Sequence, residues 1–539
     1  MRPINLAGFS GSNYAANAKL LDPSVGVSVL DAEPGYGALR PLHDRLTTAT
    51  VPSVTPQLTI YRMGRDVPSD SLYWLSWSTI VHAIRSFDGA DPTERIYLTG
   101  SGTPKWTDNV IGLTGGAPYP QAMRELGVPA PVTPLIATLT TDGAGTDVGD
   151  RFYVHTFIND LGWESAPSPP STALNCHGGS IVALSALEAA PAGNYGITAR
   201  RIYRTQPGTT NSSALLFLRE IAIGSTSTTD DARALQDALP TVGLRPPPAD
   251  LHGLIALWNQ MATGISGKSI LFCEPGEIYG WPAKYDFPLV DTPIALAKWE
   301  QNLLVLTTGA PVLLQGQLPE SMAEQPFINS APCASARGVV EFKHGVAWPS
   351  NDGLAYSGSS TLVTEGILTP RQWKLLRPST IIASRWGRFY MASYDDGTGR
   401  KAFMFDPLHP ADGIWWLSSG WTACWFDDLA GALFVLEGGN VRRFDAGAAL
   451  LTAKFTSKVF HQTGPRNFAW CKVIADAYPI TVKVYADGAL KRTRTVTNGL
   501  PFTLPGGFTA EDWQVEVWSG VGDVQSVMLV TDMDDFKRV

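Results

Sequence analysis

Trp421-Thr-Ala-Cys-Trp425, Ala432-Leu-Phe-Val-Leu436 and Val441-Arg-Arg-Phe444 are three short apolar-rich runs, separated first by Asp427, Asp428 and Gly431 and then by Gly438-Gly-Asn440. Each run is too short for a stable helix, is rich in aromatic or β-branched residues and ends at turn formers. The three therefore read as consecutive strands of an antiparallel meander. The same grouping recurs upstream in Ile381-Ile-Ala-Ser384, Arg388-Phe-Tyr-Met-Ala392 and Ala402-Phe-Met-Phe405, and before that in Gly338-Val-Val-Glu-Phe342, Gly345-Val-Ala-Trp348 and Gly353-Leu-Ala-Tyr356. Two more units begin at Ile255-Ala-Leu-Trp258 and Ile294-Ala-Leu-Ala-Lys-Trp299. The spacing is roughly 40–45 residues, the length of a four-stranded propeller blade. A β-propeller is the expectation; a sandwich with coincidental spacing is the alternative.

Two N-terminal stretches carry the same pattern. One runs from Gly37-Ala-Leu-Arg-Pro41 to Leu58-Thr-Ile-Tyr-Arg62. The other runs from Leu72-Tyr-Trp-Leu-Ser-Trp77 through Val81-His-Ala-Ile-Arg85 and Arg95-Ile-Tyr-Leu-Thr99 to Pro104-Lys-Trp-Thr-Asp108. Blade-like units at both ends imply one ring interrupted by an insertion, since strands from both termini would then remove free sheet edges. Val128-Pro-Ala-Pro131 and Arg245-Pro-Pro-Pro248 are stiff, helix-free boundaries of that insertion. The expected organisation is residues 1–131 as N-terminal segment and first blades, 132–246 as an inserted β-sandwich, 247–451 as remaining blades and 452–539 as a C-terminal β-sandwich. In that last unit Ala486-Asp-Gly-Ala489 predicts a tight hairpin. Within the insertion, prolines in Trp163-Glu-Ser-Ala-Pro-Ser-Pro-Pro170 are expected to block edge pairing, in a pattern resembling a fibronectin type III edge. Only Gln121–Leu126 and Asp230–Leu239 suggest a turn or two of helix.

Composition narrows the function. The chain has 539 residues, 44% hydrophobic and 17% charged, which suits several globular domains rather than a disordered chain. Its net charge of −8 and the absence of a basic run argue against a protein that grips nucleic acid through phosphates. Arg200–Arg201, Arg442–Arg443 and Lys491–Arg492 read as solvated strand ends. The cysteines, Cys176, Cys273, Cys333, Cys424 and Cys471, include no C-x-x-C pair and are expected as free thiols. No signal peptide and no apolar run long enough to span a membrane is visible, so synthesis in a cytoplasm is expected.

No catalytic, cofactor-binding or metal-binding residue is expected. The adjacent acids Asp395–Asp396, Asp427–Asp428 and Asp534–Asp535 are the only candidates for acid–base work. A glycosidase sets two carboxyls about 5–9.5 Å apart across a sugar. Neighbours on a strand face apart, and turn-forming aspartates are the preferred reading, with calcium at those turns left open. His43–Asp44 reads as a surface pair, and Cys176–His177 as strand neighbours facing apart. Trp415–Trp416, Trp421 and Trp425 read as blade packing or an oligomer contact, with a sugar platform as the functional alternative.

Six phrases in order along the chain resemble bacteriophage tail proteins: Gly37-Ala-Leu-Arg-Pro41, Arg95-Ile-Tyr-Leu-Thr-Gly-Ser-Gly-Thr-Pro104, Leu126-Gly-Val-Pro-Ala-Pro131, Glu164-Ser-Ala-Pro-Ser-Pro169, Arg201-Ile-Tyr-Arg-Thr205 and Val484-Tyr-Ala-Asp-Gly488. Together they are similar to the propeller-bearing nozzle, or tail hub, of short-tailed phages. The resemblance implies a non-enzymatic virion protein without cofactor, made in the host bacterial cytoplasm. It implies a homo-oligomeric ring, a hexamer, that meets the tail adaptor or portal and the tail fibres and lets genomic DNA pass without tight binding. The alternatives are a carbohydrate-binding or carbohydrate-degrading propeller at the host surface, and a distal-tail or fibre-adaptor protein of a longer-tailed phage.

Overall fold

A computed structural model describes residues 3–537 except 36, 53–54, 65–72, 90, 208–212 and 233. Leu72, the first residue of one predicted strand, lies outside the described residues. The chain is almost all β, with 45% of residues in strands and 5% in helices, arranged as many small sheets with no closed barrel among the described residues. Among the described residues the one α-helix is Pro370–Leu375. Thr369 caps it: Gln372 N donates to Thr369 Oγ1 at 3.3 Å, and Thr369 N to Gln372 Oε1 at 2.8 Å. Among the described residues neither predicted helix, Gln121–Leu126 or Asp230–Leu239, forms. Arg124–Glu125 is instead a short strand paired to Lys105–Thr107. Asp230 ends a strand, and its carboxylate serves Tyr153 and Arg204. Segments this short have weak helical nuclei, so tertiary partners decide their conformation.

The chain forms two compact units: Met1–Ser78 with Pro293–Leu314 and Glu324–Val539, and Thr79–Thr292 with Gln315–Ala323. In the first, the meander strands fall where the sequence places them. Ile382–Trp386, Phe389–Asp395, Arg400–Phe405 and Ile414–Leu417 pair consecutively and antiparallel. So do Ala423–Asp427, Ala432–Glu437 and Asn440–Arg443. Their sides pack on aromatic residues: Tyr390, Phe403 and Trp373 are fully buried in one cluster with Leu354 and Ile381.

Three N-terminal strands complete sheets made by the end of the chain. Leu46–Thr50 adds to Asn440–Arg443, with Thr50 opposite Asn440. Ser28–Leu30 lies between Trp416 and the strand Ala453–Thr456. Ile4–Ala7 pairs with Val524–Val530. In the C-terminal region, Ile480–Ala486 and Ala510–Ser519 bury alternate residues, as one-faced strands must. Val482, Val484, Val515 and Val517 from that sheet share a core with Cys471, Val473, Val527 and Leu529 from the other. The predicted hairpin is present: Asp487 has φ 48° and Gly488 φ 75°, the left-handed pair that a two-residue turn requires.

The second unit contains two four-stranded meanders. One comprises His82–Arg85, Ile96–Thr99, Lys105–Thr107 and Arg124–Glu125; the other His252–Ala256, Ala262–Ser266, Ser269–Phe272 and Phe287–Pro288. They share a core of Ile84, Tyr97, Trp106, Leu254, Leu271 and Trp281. Between them in sequence lies an all-β insertion. Ile136–Thr141, Ile181–Ser185 and Thr228–Asp230 form one sheet, and Tyr153–Asn159, Ile197–Pro207 and Ser213–Ala222 another. Leu135, Tyr153, Val182, Leu184 and Ile202 form its core. The Pro-rich segment after Trp163 does not leave the strand edge bare. Ser165, Ser168 and Ser171 each donate a backbone N–H to Tyr153–Asn159, at Phe157 O, His155 O and Tyr153 O. Pro167, Pro169 and Pro170 carry no backbone donor, and the serine amides supply the three that reach the strand.

Candidate functional site

The acids singled out in the sequence act in turns and ion pairs. Asp395 Oδ1 accepts Gly397 N at 2.9 Å, and Asp396 Oδ1 accepts Thr398 N at 2.8 Å and Thr398 Oγ1 at 2.6 Å. Asp396 also pairs with Lys401 at 2.5 Å. Asp427 caps its turn through Leu429 N at 3.0 Å and pairs with buried Arg62 at 2.8 Å. Asp428 faces Arg385. Asp534 and Asp535 lie in the short 3-10 helix Met533–Lys537.

The four tryptophans are divided among separate aromatic contacts. Trp415 packs edge-on to Phe389, Trp416 lies among Tyr14, Tyr394 and Phe403, and Trp425 contacts Tyr61, Trp74 and Phe434. Trp421 carries the Arg45 guanidinium 5.4 Å above its ring. His43 does not pair with Asp44: its ring Nδ1 lies 3.1 Å from Gly447 O and its backbone N donates to Asp445. Cys176 is buried, while the His177 ring contacts Asp142 at 2.9 Å. All five cysteines are free. Arg200–Arg201 are not solvated strand ends. They lie mid-strand, and Arg200 is buried with its guanidinium donating to Glu188 O and Ser225 O. Those carbonyls replace the water that burial removes.

The insertion holds two buried carboxylates. Glu164 accepts Thr156 Oγ1 at 2.6 Å, Tyr203 Oη at 2.7 Å and Arg201 Nη1 at 2.9 Å. Asp230 accepts Tyr153 Oη at 2.8 Å and Arg204 Nη1 at 2.7 Å. Burial and these neighbouring carboxylates push both tyrosine hydroxyls upward. Each carboxylate is saturated by several donors, which suits a tie between strands better than proton transfer.

A cleft of about 700 Å³ lies in the same unit between Pro240–Leu244 and Glu274–Lys284. Thr241 Oγ1 anchors one wall on Ser165 O at 2.7 Å. Arg245 holds the other through Trp281 O at 2.7 Å and both oxygens of Asp286, at 2.6 and 2.7 Å. Tyr279 stacks on Trp163 with ring centroids 5.2 Å apart. Burial and Glu277 raise its hydroxyl pKa. Glu274 and Glu277 rise from one tight turn, joined by Glu277 N to Glu274 O at 2.9 Å. Two carboxyls from one turn do not straddle a scissile bond as a glycosidase pair does. Lys284 is drawn to Glu320 at 3.1 Å. Sequence reading missed this cleft; the turn Glu274-Pro-Gly-Glu277 was its only local signal.

No family model and no curated protein matches the sequence. Among solved structures, PorZ, an essential bacterial surface component of the type-IX secretion system of Porphyromonas gingivalis, is 10% identical, with 77% of this chain and 60% of that chain covered and a TM-score of 0.28. A gluconolactonase, XC5397 from Xanthomonas campestris, is 13% identical over 50% of this chain and 90% of that one, with a TM-score of 0.19. The extracellular domain of BT4673 from B. thetaiotaomicron is 7% identical over 88% and 84%, with a TM-score of 0.21. None of these is a phage tail protein. Likenesses this distant carry no argument about activity.

Proposed function

We propose that this chain is a structural, non-enzymatic subunit of a bacteriophage tail, of the nozzle or hub type. In this reading the meander sheets are blades of a β-propeller and the 132–246 insertion is a fibronectin type III-like module. The observation that carries the reading is the pairing of Leu46–Thr50 with Asn440–Arg443. A strand from the N-terminal region completes a sheet built near the other end, as a propeller latches its last blade and removes a free edge. The saturated carboxylates and the one-turn origin of Glu274 and Glu277 agree with a scaffold. So does the net charge of −8, since a channel that must release DNA gains nothing by neutralising its phosphates. The protein then forms a homo-oligomeric ring in the virion, beside the adaptor and fibres.

Native mass spectrometry and negative-stain microscopy of the purified protein test this. A closed ring with a central channel, and the same protein among the structural components of purified virions, is the expected result. A monomer absent from virions overturns the reading.

A further inference from the structure

The first unit contains a small pocket that the scaffold reading does not use. It is about 220 Å³ and lies at the hairpin ends of two neighbouring meanders, 340–356 and 382–417. Its size is below the roughly 300–1,000 Å³ of sites for drug-sized ligands, so it suits a single ring. Phe342, Leu408 and the Tyr356 ring give it apolar walls, and Lys343, Arg385 and Arg388 bring cationic groups to them.

Two features set it apart from a surface dimple. First, Tyr356 is 5% exposed and its hydroxyl is buried with no hydrogen-bond partner among the described residues. A buried hydroxyl left without a partner is costly, so it is a donor in need of an acceptor. Gly345 lets the ring lie here: a Cβ at that position would stand 2.4 Å from the Tyr356 hydroxyl. Second, the charges do not all cancel within the protein. Arg388 pairs with Asp406 at 3.0 Å and Arg385 pairs with Asp428, yet each guanidinium has further N–H donors. Lys343 is exposed and makes no ion pair among the described residues. Half-buried Glu341, on the same strand as Phe342 and two residues before Lys343, accepts Lys298 N at 2.6 Å.

We propose that this pocket binds a small organic anion: a carboxylate on a flat apolar body. The body lies against Phe342, Leu408 and the Tyr356 ring. The carboxylate pairs with Lys343 and the free arginine donors and accepts the Tyr356 hydroxyl hydrogen. This site is independent of the tail reading and stands or falls separately.

Benzoate is the probe, with benzyl alcohol as the uncharged body and acetate as the charge without a body. Binding to the full chain is followed by calorimetry in low salt. Benzoate is expected to bind in the low-millimolar range, about tenfold more tightly than either control. Tyr356→Phe and Lys343→Gln should each weaken benzoate by about five- to tenfold; Lys343→Gln should leave the melting temperature close to that of the parent, and Tyr356→Phe, which removes an unpartnered buried hydroxyl, should not lower it. Higher ionic strength should weaken benzoate and leave benzyl alcohol unaffected. Equal binding of benzoate and either control overturns the proposal. So does benzoate affinity indifferent to both substitutions, or no benzoate binding up to about 20 mM.

Discussion

Ser168 and His155 exchange two hydrogen bonds: Ser168 N donates to His155 O at 2.9 Å, and His155 N donates to Ser168 Oγ at 3.1 Å. Ser165 does the same with Phe157, at 3.0 and 2.9 Å, and Ser171 with Tyr153, at 2.9 and 3.1 Å. A serine at every third position thus meets every second residue of one strand, and each supplies both a donor and an acceptor. This is how a Pro-rich segment seals a sheet edge without being a strand.

The three serines are therefore structural. Replacing one by Ala keeps its backbone donor but leaves a buried strand N–H without its acceptor. Each of Ser165→Ala, Ser168→Ala and Ser171→Ala should cost about 1–2 kcal/mol. Amide exchange at Phe157, His155 or Tyr153 should speed up in the matching variant, and thermal unfolding should register the loss.

His155 also predicts a pH response. Its side chain is fully buried, and neither ring nitrogen has a hydrogen-bond partner among the described residues. Burial, then the nearby Arg200 cation, depresses its pKa from 6.5 to about 4, against a smaller opposing pull from Glu188. The unfolded chain binds a proton near pH 6.5 that the folded chain refuses until about pH 4. Between those values the unfolded state holds more protons, so stability falls as pH falls. The loss reaches about 3 kcal/mol near pH 4 and then levels off. His155→Leu should remove that slope. Denaturant titrations of parent and variant at pH 7 and pH 4.5 give the difference, and parallel curves would exclude the mechanism.

What was legible in the sequence was local. Asp487–Gly488 announced its turn because only residues tolerant of positive φ suit it, and the strands from Ile382 to Arg443 announced themselves through short apolar runs between turn formers. The helix Pro370–Leu375 was missed although Thr369 and Gln372 form a capping box, because six residues show too little periodicity. Arg200 looked like a surface residue since the carbonyls that satisfy it, Glu188 O and Ser225 O, belong to distant segments. The pocket beside Tyr356 was invisible for the same reason: its cations come from separate hairpins that only the packed sheets bring together.

The adjacent acid pairs should separate on substitution. Asp395 and Asp396 serve their own turn and Asp396 adds a surface pair with Lys401, so Asp395→Asn and Asp396→Asn should leave stability close to that of the parent. Asp427 is 5% exposed and its partner Arg62 is 7% exposed, so Asp427→Asn removes one charge from a buried pair. A loss of about 3 kcal/mol is expected. Chemical denaturation of the three variants checks the order; equal losses would mean that the Asp427–Arg62 pair is effectively solvated.

The last prediction concerns the strand Leu46–Thr50. Its backbone pairs with Asn440–Arg443, and Thr48 Oγ1 adds a bond to Val441 O at 3.1 Å. Leu46 is 47% exposed and no residue of the strand is fully buried, so side-chain burial contributes little to holding it. The strand acts through its main chain, as a cover for the edge that Asn440–Arg443 would otherwise present. Ala49→Pro should therefore be far more damaging than Ala49→Ser, because proline removes a backbone donor and fixes φ while serine alters neither. With the edge uncovered, Val441 and its neighbours become a template for another chain. The expected outcome is a modest loss of melting temperature together with concentration-dependent aggregation that Ala49→Ser does not share. Light scattering against protein concentration distinguishes the two. If Ala49→Pro lowers the melting temperature without aggregating, the strand stabilises the sheet but does not guard its edge, and the latch argument for a closed ring loses its physical basis.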